Sequence, residues 1–206
     1  MLSTREWAAE RGLWVEDQVP PVEGYDQPPR RKAEEVAVRA IVLHCVAAVG
    51  YGVGSDAVVE WLEDQGIWKD VSPAEQALLR SGRLSKAERD AACWRQEAQW
   101  ALLWAIDKVG ALGLPTGACD TAMLVDHIMP GLGDPIEAFV SSANLRDPSE
   151  LLAEDDRVYN LHCYATRAAR EGELPGDFLF AVLVQRRYAF EWLNGDDAWD
   201  AVEMDT

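Results

Sequence analysis

The chain has 206 residues, 49% hydrophobic and 27% charged, with 36 acidic against 19 basic side chains and a formal net charge of −17. At this length folding removes roughly 70% of the extended chain's surface from water, so a core forms without help from a metal or a disulfide. The charge repels phosphate, which argues against nucleic acid or an anionic membrane as a partner and favours a basic protein.

The first residues, Met1 to Glu6, contain no apolar run of the kind a secretory leader needs. Cys45, Cys93, Cys119 and Cys163 form no Cys-x-x-Cys pair, and three of them fall in apolar helical segments. Free thiols in such settings point to a reducing compartment, so a cytoplasmic protein is expected. The longest uncharged stretch, 40–55, is shorter than the ~20 residues a spanning helix requires.

Ser3 with Glu6 opens a first helix at about 4–11 through a capping box, in which hydroxyl and carboxylate satisfy each other's free amides. Residues 13–30 carry Pro20-Pro21 and Pro28-Pro29 among acidic side chains and predict an extended arm. A helical domain then occupies 31–206. Its helices are expected at about 31–49, 56–65, 73–81, 86–109, 121–129, 135–143, 148–171 and 177–194. Ser72 with Glu75 and Ser85 with Glu88 repeat the capping box, and Asp134-Pro135 and Asp147-Pro148 place a capping acid before Pro at the first helical position. Gly12, Gly50, Gly66, Gly110, Gly172 and Gly195 follow the periodic segments as stop signals. No segment alternates as a strand does. The stretch 98–106, AQWALLWAI, is apolar on nearly every side and belongs at the centre of the domain. The fold class predicted is all-α, a single globular helical domain packed around the helix at about 86–109.

Several motifs recur in one order: Ser72-Pro73-x-Glu75, Trp94-Arg95-Gln96-Glu97-Ala98, Leu102-Leu103-Trp104-Ala105, Leu145-Arg146, Glu150-Leu151-Leu152, Asp156, Tyr159, Leu161-His162, 186–189, Trp192-Leu193, Trp199-Asp200 and Asp205-Thr206. Together they resemble the domain of unknown function 4272 family, over most of the chain from about Arg31. Cys163 stands where a Trp is expected, and Gln185 where a Glu is. The resemblance supports the fold and implies no activity.

Charged residues on apolar helix faces are the candidate site. Glu97 has Cys93, Trp94, Trp100 and Ala101 as helical neighbours; Arg186 has Val182, Leu183, Ala189 and Phe190; Asp155 has Leu151, Leu152, Val158 and Tyr159. Asp156 faces Tyr159 and Asn160. A buried charge is costly unless paired. One reading is therefore an internal ion-pair network. The other is a pocket in which Glu97, Asp156 or Tyr159 does acid–base work beside Arg146 or Arg186. Arg95, His162 and Asp200 complete the candidate cluster.

Leu-His-Cys occurs at 43–45 and again at 161–163, but adjacent helical residues point about 100° apart and do not close on one ion. No metal site and no cofactor are expected. Gly50-Tyr51-Gly52-Val53-Gly54-Ser55 follows a helix rather than a strand, so it reads as a turn with Ser55 capping the next helix, not as a dinucleotide fingerprint. With Trp7, Trp14 and Trp199 in segments expected at the periphery, the sequence favours a non-enzymatic protein-binding domain, an immunity- or antitoxin-like regulator. The alternative is a small-molecule-binding protein or small enzyme built on the internal cluster.

Overall fold

The computed structural model describes residues 3–11, 29–172 and 178–204. Residues 12–28, which hold most of the Pro-rich arm and Trp14, lie outside them. Among the described residues every regular element is helical: α1 Thr4–Ala9, α2 Ala33–Gly50, α3 Ser55–Asp64, α4 Pro73–Arg80, α5 Lys86–Ala105, α6 Thr121–Met123, α7 Glu137–Ser141, α8 Pro148–Glu171 and α9 Phe180–Asn194. Short 3-10 turns lie at Trp68–Asp70 and Trp199–Ala201, and a π turn at Leu124–Ile128. The protein is an all-α domain.

The capping boxes at Ser3, Ser72 and Ser85 form as their spacing predicts, and Asp147 caps α8 through the Ser149 amide. Gly66 and Gly172 leave their helices at positive φ. The α5 helix is central, as its composition requires, with Leu102, Leu103, Ala105 and Ile106 buried. It shares the centre with α2, whose Val36, Ile41, Val42, Leu43, Val46 and Val49 are also buried. Between Val36 and Ser55 the sequence holds a single charge, Arg39, so α2 has no solvent stripe to present.

Several helix ends differ from their sequence signals; α7 begins at Glu137 with Ile136 as its N-cap, while Asp134, expected to cap it, accepts from the Gly131 amide instead. Gly50 is still helical, and it lies where α2 meets α5: a Cβ built on it would stand 2.9 Å from both Ala92 Cβ and the Cys93 nitrogen. The turn is made instead by Gly52, at φ 103°. The α5 helix ends at Ala105, short of the expected 109, because Asp107 takes a left-handed φ of 60°. The amides of Lys108 and Asp107 reach back to the carbonyls of Leu103 and Trp104, at 2.8 and 3.1 Å, a Schellman closure with Asp in the glycine's place.

A second, smaller core joins α1, α8 and α9, where Trp7 and Phe180 pack on Leu161, Ala165, Phe178 and Leu183. The short N-terminal helix is thus docked on the domain, and the Thr4 hydroxyl donates to Asp156.

Candidate functional site

The nine charged and polar residues singled out by the sequence do not converge. They divide among five places, one of them the contact of α1 with α8, where Asp156 accepts from Thr4 and from Asn160 Nδ2. Glu97 is fully buried, and its Oε1 accepts the Cys119 amide; its Oε2 meets Arg186 Nη2 at 3.3 Å, while Arg186 Nη1 donates to the Gly113 carbonyl at 2.9 Å. This pair ties α5 to α9 and to the loop before α6.

Asp155 sits on α8 against α9, where it accepts from Asn194 Nδ2 at 2.8 Å and faces Arg187 Nη1 at 3.7 Å. The Arg187 guanidinium lies over the Tyr159 ring, 4.7 Å from its centroid. Burial outweighs that cation and raises the Asp155 carboxyl to about 6. His162, two turns further along α8, stacks on Phe180 and is lowered to about 4, again by burial first and by Arg187 second. Its Nδ1 has no hydrogen-bond partner.

Arg146 caps the end of α5. Its Nε donates to the Trp104 carbonyl at 2.7 Å, its Nη2 to the Val109 carbonyl at 2.8 Å, and it pairs with Asp107 at 2.6 Å. A cation that binds the last carbonyls of a helix also complements its dipole. A cleft of about 470 Å³ does open beside Trp104, lined among others by Trp7, Arg11, Arg146, Glu154 and Arg157, but of the nine expected residues Arg146 alone reaches it.

Asp200 accepts from the Ser72 hydroxyl at 2.7 Å and from the Ala74 amide at 2.8 Å, so the last 3-10 turn caps α4 from the far end of the chain. Arg95 lies over the rings of Tyr188 and Trp199. Beside them is an ion pair the sequence reading missed: Arg39 Nη2 contacts both oxygens of the buried Glu75 carboxylate, at 2.7 and 2.6 Å, with Trp199 stacked on the guanidinium. The lone charge in the 36–55 run was the signal for it. Trp199 is buried and Trp7 is half-buried in the second core. Neither is a free peripheral ring, which corrects the expectation drawn from their position.

The cavity with binding character lies elsewhere. A hollow of about 320 Å³ opens between α2, α3, α5 and the segment 121–132, and no charged side chain lines it. The GYGVGS turn, read from sequence as a connection only, forms one lip, with Gly54 rather than Ser55 as the N-cap of α3. The other lip is the π turn, in which the Met129 amide reaches the Leu124 carbonyl at 2.9 Å. This wider turn buries Leu124 and leaves Val125 outside. Such turns recur at functional sites. The exposed large hydrophobics of the described chain gather here: Tyr51 (57%), Val53, Val125 (57%) and Leu132 (49%) line the hollow, and Met123 adjoins them.

Polar groups in the hollow are few. The Tyr51 and Thr121 hydroxyls both donate to Gln96 Oε1, at 2.9 and 3.0 Å. Gln99 Nε2 meets His44 Nδ1 at 3.2 Å, and burial lowers the His44 pKa, which keeps the ring neutral. Cys45, at the wall, is pushed up to about 12 by burial, and Cys119 is raised further by burial and by Glu97. Neither thiol is a thiolate at neutral pH. Among the described residues no three His, Cys, Asp or Glu side chains cluster as metal ligands, and no helix is long and apolar enough to cross a membrane.

Residues 1–202 match the family model described as a domain of unknown function, DUF4272. The chain belongs to the DUF4272 family. The match extends over residues 1–30, which the motif resemblance left outside. No curated protein and no solved structure matches this DUF4272 chain.

Proposed function

We propose that this DUF4272 protein is a non-catalytic binding protein whose ligand is a small, mainly apolar molecule held in the hollow between α2, α3, α5 and 121–132. The observation that carries the reading is the coincidence of an uncharged hollow with the exposed large hydrophobic side chains at its mouth. Ligand sites are concave and largely apolar, with a few polar groups that fix orientation, and a volume near 300 Å³ is at the small end of their range. Exposed apolar groups gathered at one place mark a binding surface, whereas scattered ones mean little. The charged residues speak against acid–base chemistry at the internal cluster, since Glu97, Arg186, Asp155 and Arg187 are engaged in holding helices together.

The test is a panel of neutral, anionic and cationic aromatic compounds of matched size, read by thermal shift and ligand-observed NMR. Neutral compounds should stabilise the protein by about 2.7 kcal/mol at a hundredfold excess over Kd. The paired substitutions Val125→Asp and Leu132→Asp, at exposed positions, should abolish that shift. No stabilising neutral compound, or stabilisation indifferent to the two aspartates, would overturn the proposal.

The net charge of −17 favours a second reading, a basic protein partner of the immunity- or antitoxin-like kind in the cytoplasm. Pull-down at low and high salt tests it: a basic partner lost on raising the salt supports it, and capture indifferent to salt counts against it.

A further inference from the structure

The hollow between α2 and α5 contains one polar atom whose needs the protein does not meet. Gln99 sits in the middle of the AQWALLWAI segment and is fully buried. Its Nε2 meets His44 Nδ1, while its Oε1 has no hydrogen-bond partner at all. Buried side-chain oxygens are seldom left in this state, because the solvation lost on burial is not returned. The neighbouring polar groups do not help: the hydroxyl protons of Tyr51 and Thr121 are both committed to Gln96 Oε1. An unmet acceptor, shielded from solvent, therefore belongs to a residue that lines an apolar hollow, with Tyr51, Val125 and Leu132 exposed at its mouth.

We infer that the ligand is a neutral molecule with an apolar body and one hydrogen-bond-donating head, an N–H or O–H, which enters head first and donates to Gln99 Oε1. This rests on the binding reading above and narrows it to a ligand class. Neutrality follows from the lining: a carboxylate or an ammonium would be stripped of water with no counter-charge to meet it. The donor requirement follows from the geometry of the amide. With Gln99 Nε2 turned to His44, an acceptor-only head would bring a second lone pair against Oε1. A ligand that merely fills the space would leave that oxygen unmet. Gln99 and His44 thus act as the reading head of the site, and the apolar lips supply affinity with little selectivity.

Indole and benzofuran distinguish these cases, since they share shape and size and differ by an N–H against an oxygen. Titration of the full chain by calorimetry, with saturation-transfer NMR as a second readout, should find indole bound about tenfold more tightly than benzofuran. Indole-3-carboxylate should bind more weakly than indole. Gln99→Met should bring indole and benzofuran to equal affinity. If that variant does not fold, the wild-type ratio still decides, and Leu132→Asp at the exposed lip must weaken both compounds.

Equal affinity of the two in the wild type, with both lost in Leu132→Asp, would overturn the donor head and leave the binding site standing. Tighter binding of benzofuran, or of the carboxylate, would also overturn the inference. If neither neutral compound bound at millimolar concentration, this inference and the function proposed above would both fall.

Discussion

Removal of the charge on Glu97 tests whether the internal cluster is structural. Glu97→Gln keeps an oxygen for the Cys119 amide but leaves Arg186 buried without its paired carboxylate, its Nη1 still donating to the Gly113 carbonyl. Breaking a buried pair on one side costs about 3–5 kcal/mol, because the surviving charge keeps its desolvation penalty. For a chain of this length each kcal/mol lowers Tm by about 2–4 °C, so a fall of about 6–20 °C is expected. Arg186→Met removes the stranded cation and offers an apolar chain of similar reach. The double variant, Glu97→Gln with Arg186→Met, should therefore recover most of the loss. Urea denaturation followed by circular dichroism gives the four stabilities of the cycle, and the coupling energy should exceed 1 kcal/mol. Losses below about 1 kcal/mol in both single variants, or a double variant as unstable as the sum of the two, would refute a pairing role for these residues.

Three further outcomes are expected. Asp155 and His162 give opposite pH slopes: the raised carboxyl destabilises the fold as pH climbs from about 4 to 6, and the depressed imidazole destabilises it as pH falls from 6.5 to about 4. Relative to wild type, Asp155→Asn should make stability rise more steeply with pH across that window and His162→Gln less steeply, as read by chemical denaturation at each pH. Gly50→Ala should cost about 1–3 kcal/mol, because the added methyl meets the Cys93 backbone, which cannot swing aside as a side chain can. Arg146→Ala should loosen the end of α5, with faster amide exchange at Asp107 and Lys108 than at Leu102, measured by hydrogen-exchange mass spectrometry.

The helices were legible in the sequence because their signals are local. Ser72 with Glu75, Ser85 with Glu88 and Asp147 before Pro148 each act within a single turn, and each forms as expected. Helix ends set by tertiary contacts were not legible. Nothing next to Asp107 announces a left-handed residue, since what holds it there is Arg146, brought in from a distant loop. The buried charges were found in Glu97, Arg186 and Asp155, whose apolar neighbours lie at helical spacing, but their partners are long-range and spacing is silent about them.

The hollow was hidden for a related reason. Its lips come from a glycine-rich turn and a π turn, and turn chemistry does not declare which cavity a turn will border. Gln99 was in plain view inside AQWALLWAI, yet hydropathy averages a single amide away. Its meaning depends on His44, 55 residues earlier.

The grip of Asp200 on Ser72 and Ala74 bears on the order of assembly. The fourth helix borrows its first-turn acceptor from residues made long after it, and the ring that covers Arg39 belongs to the same late segment. On the ribosome, a nascent chain that has only just released α5 holds α2 and α4 with these groups still wet. Closure of the structure then waits for the arrival of Trp199 and Asp200, the latter 128 residues beyond Ser72.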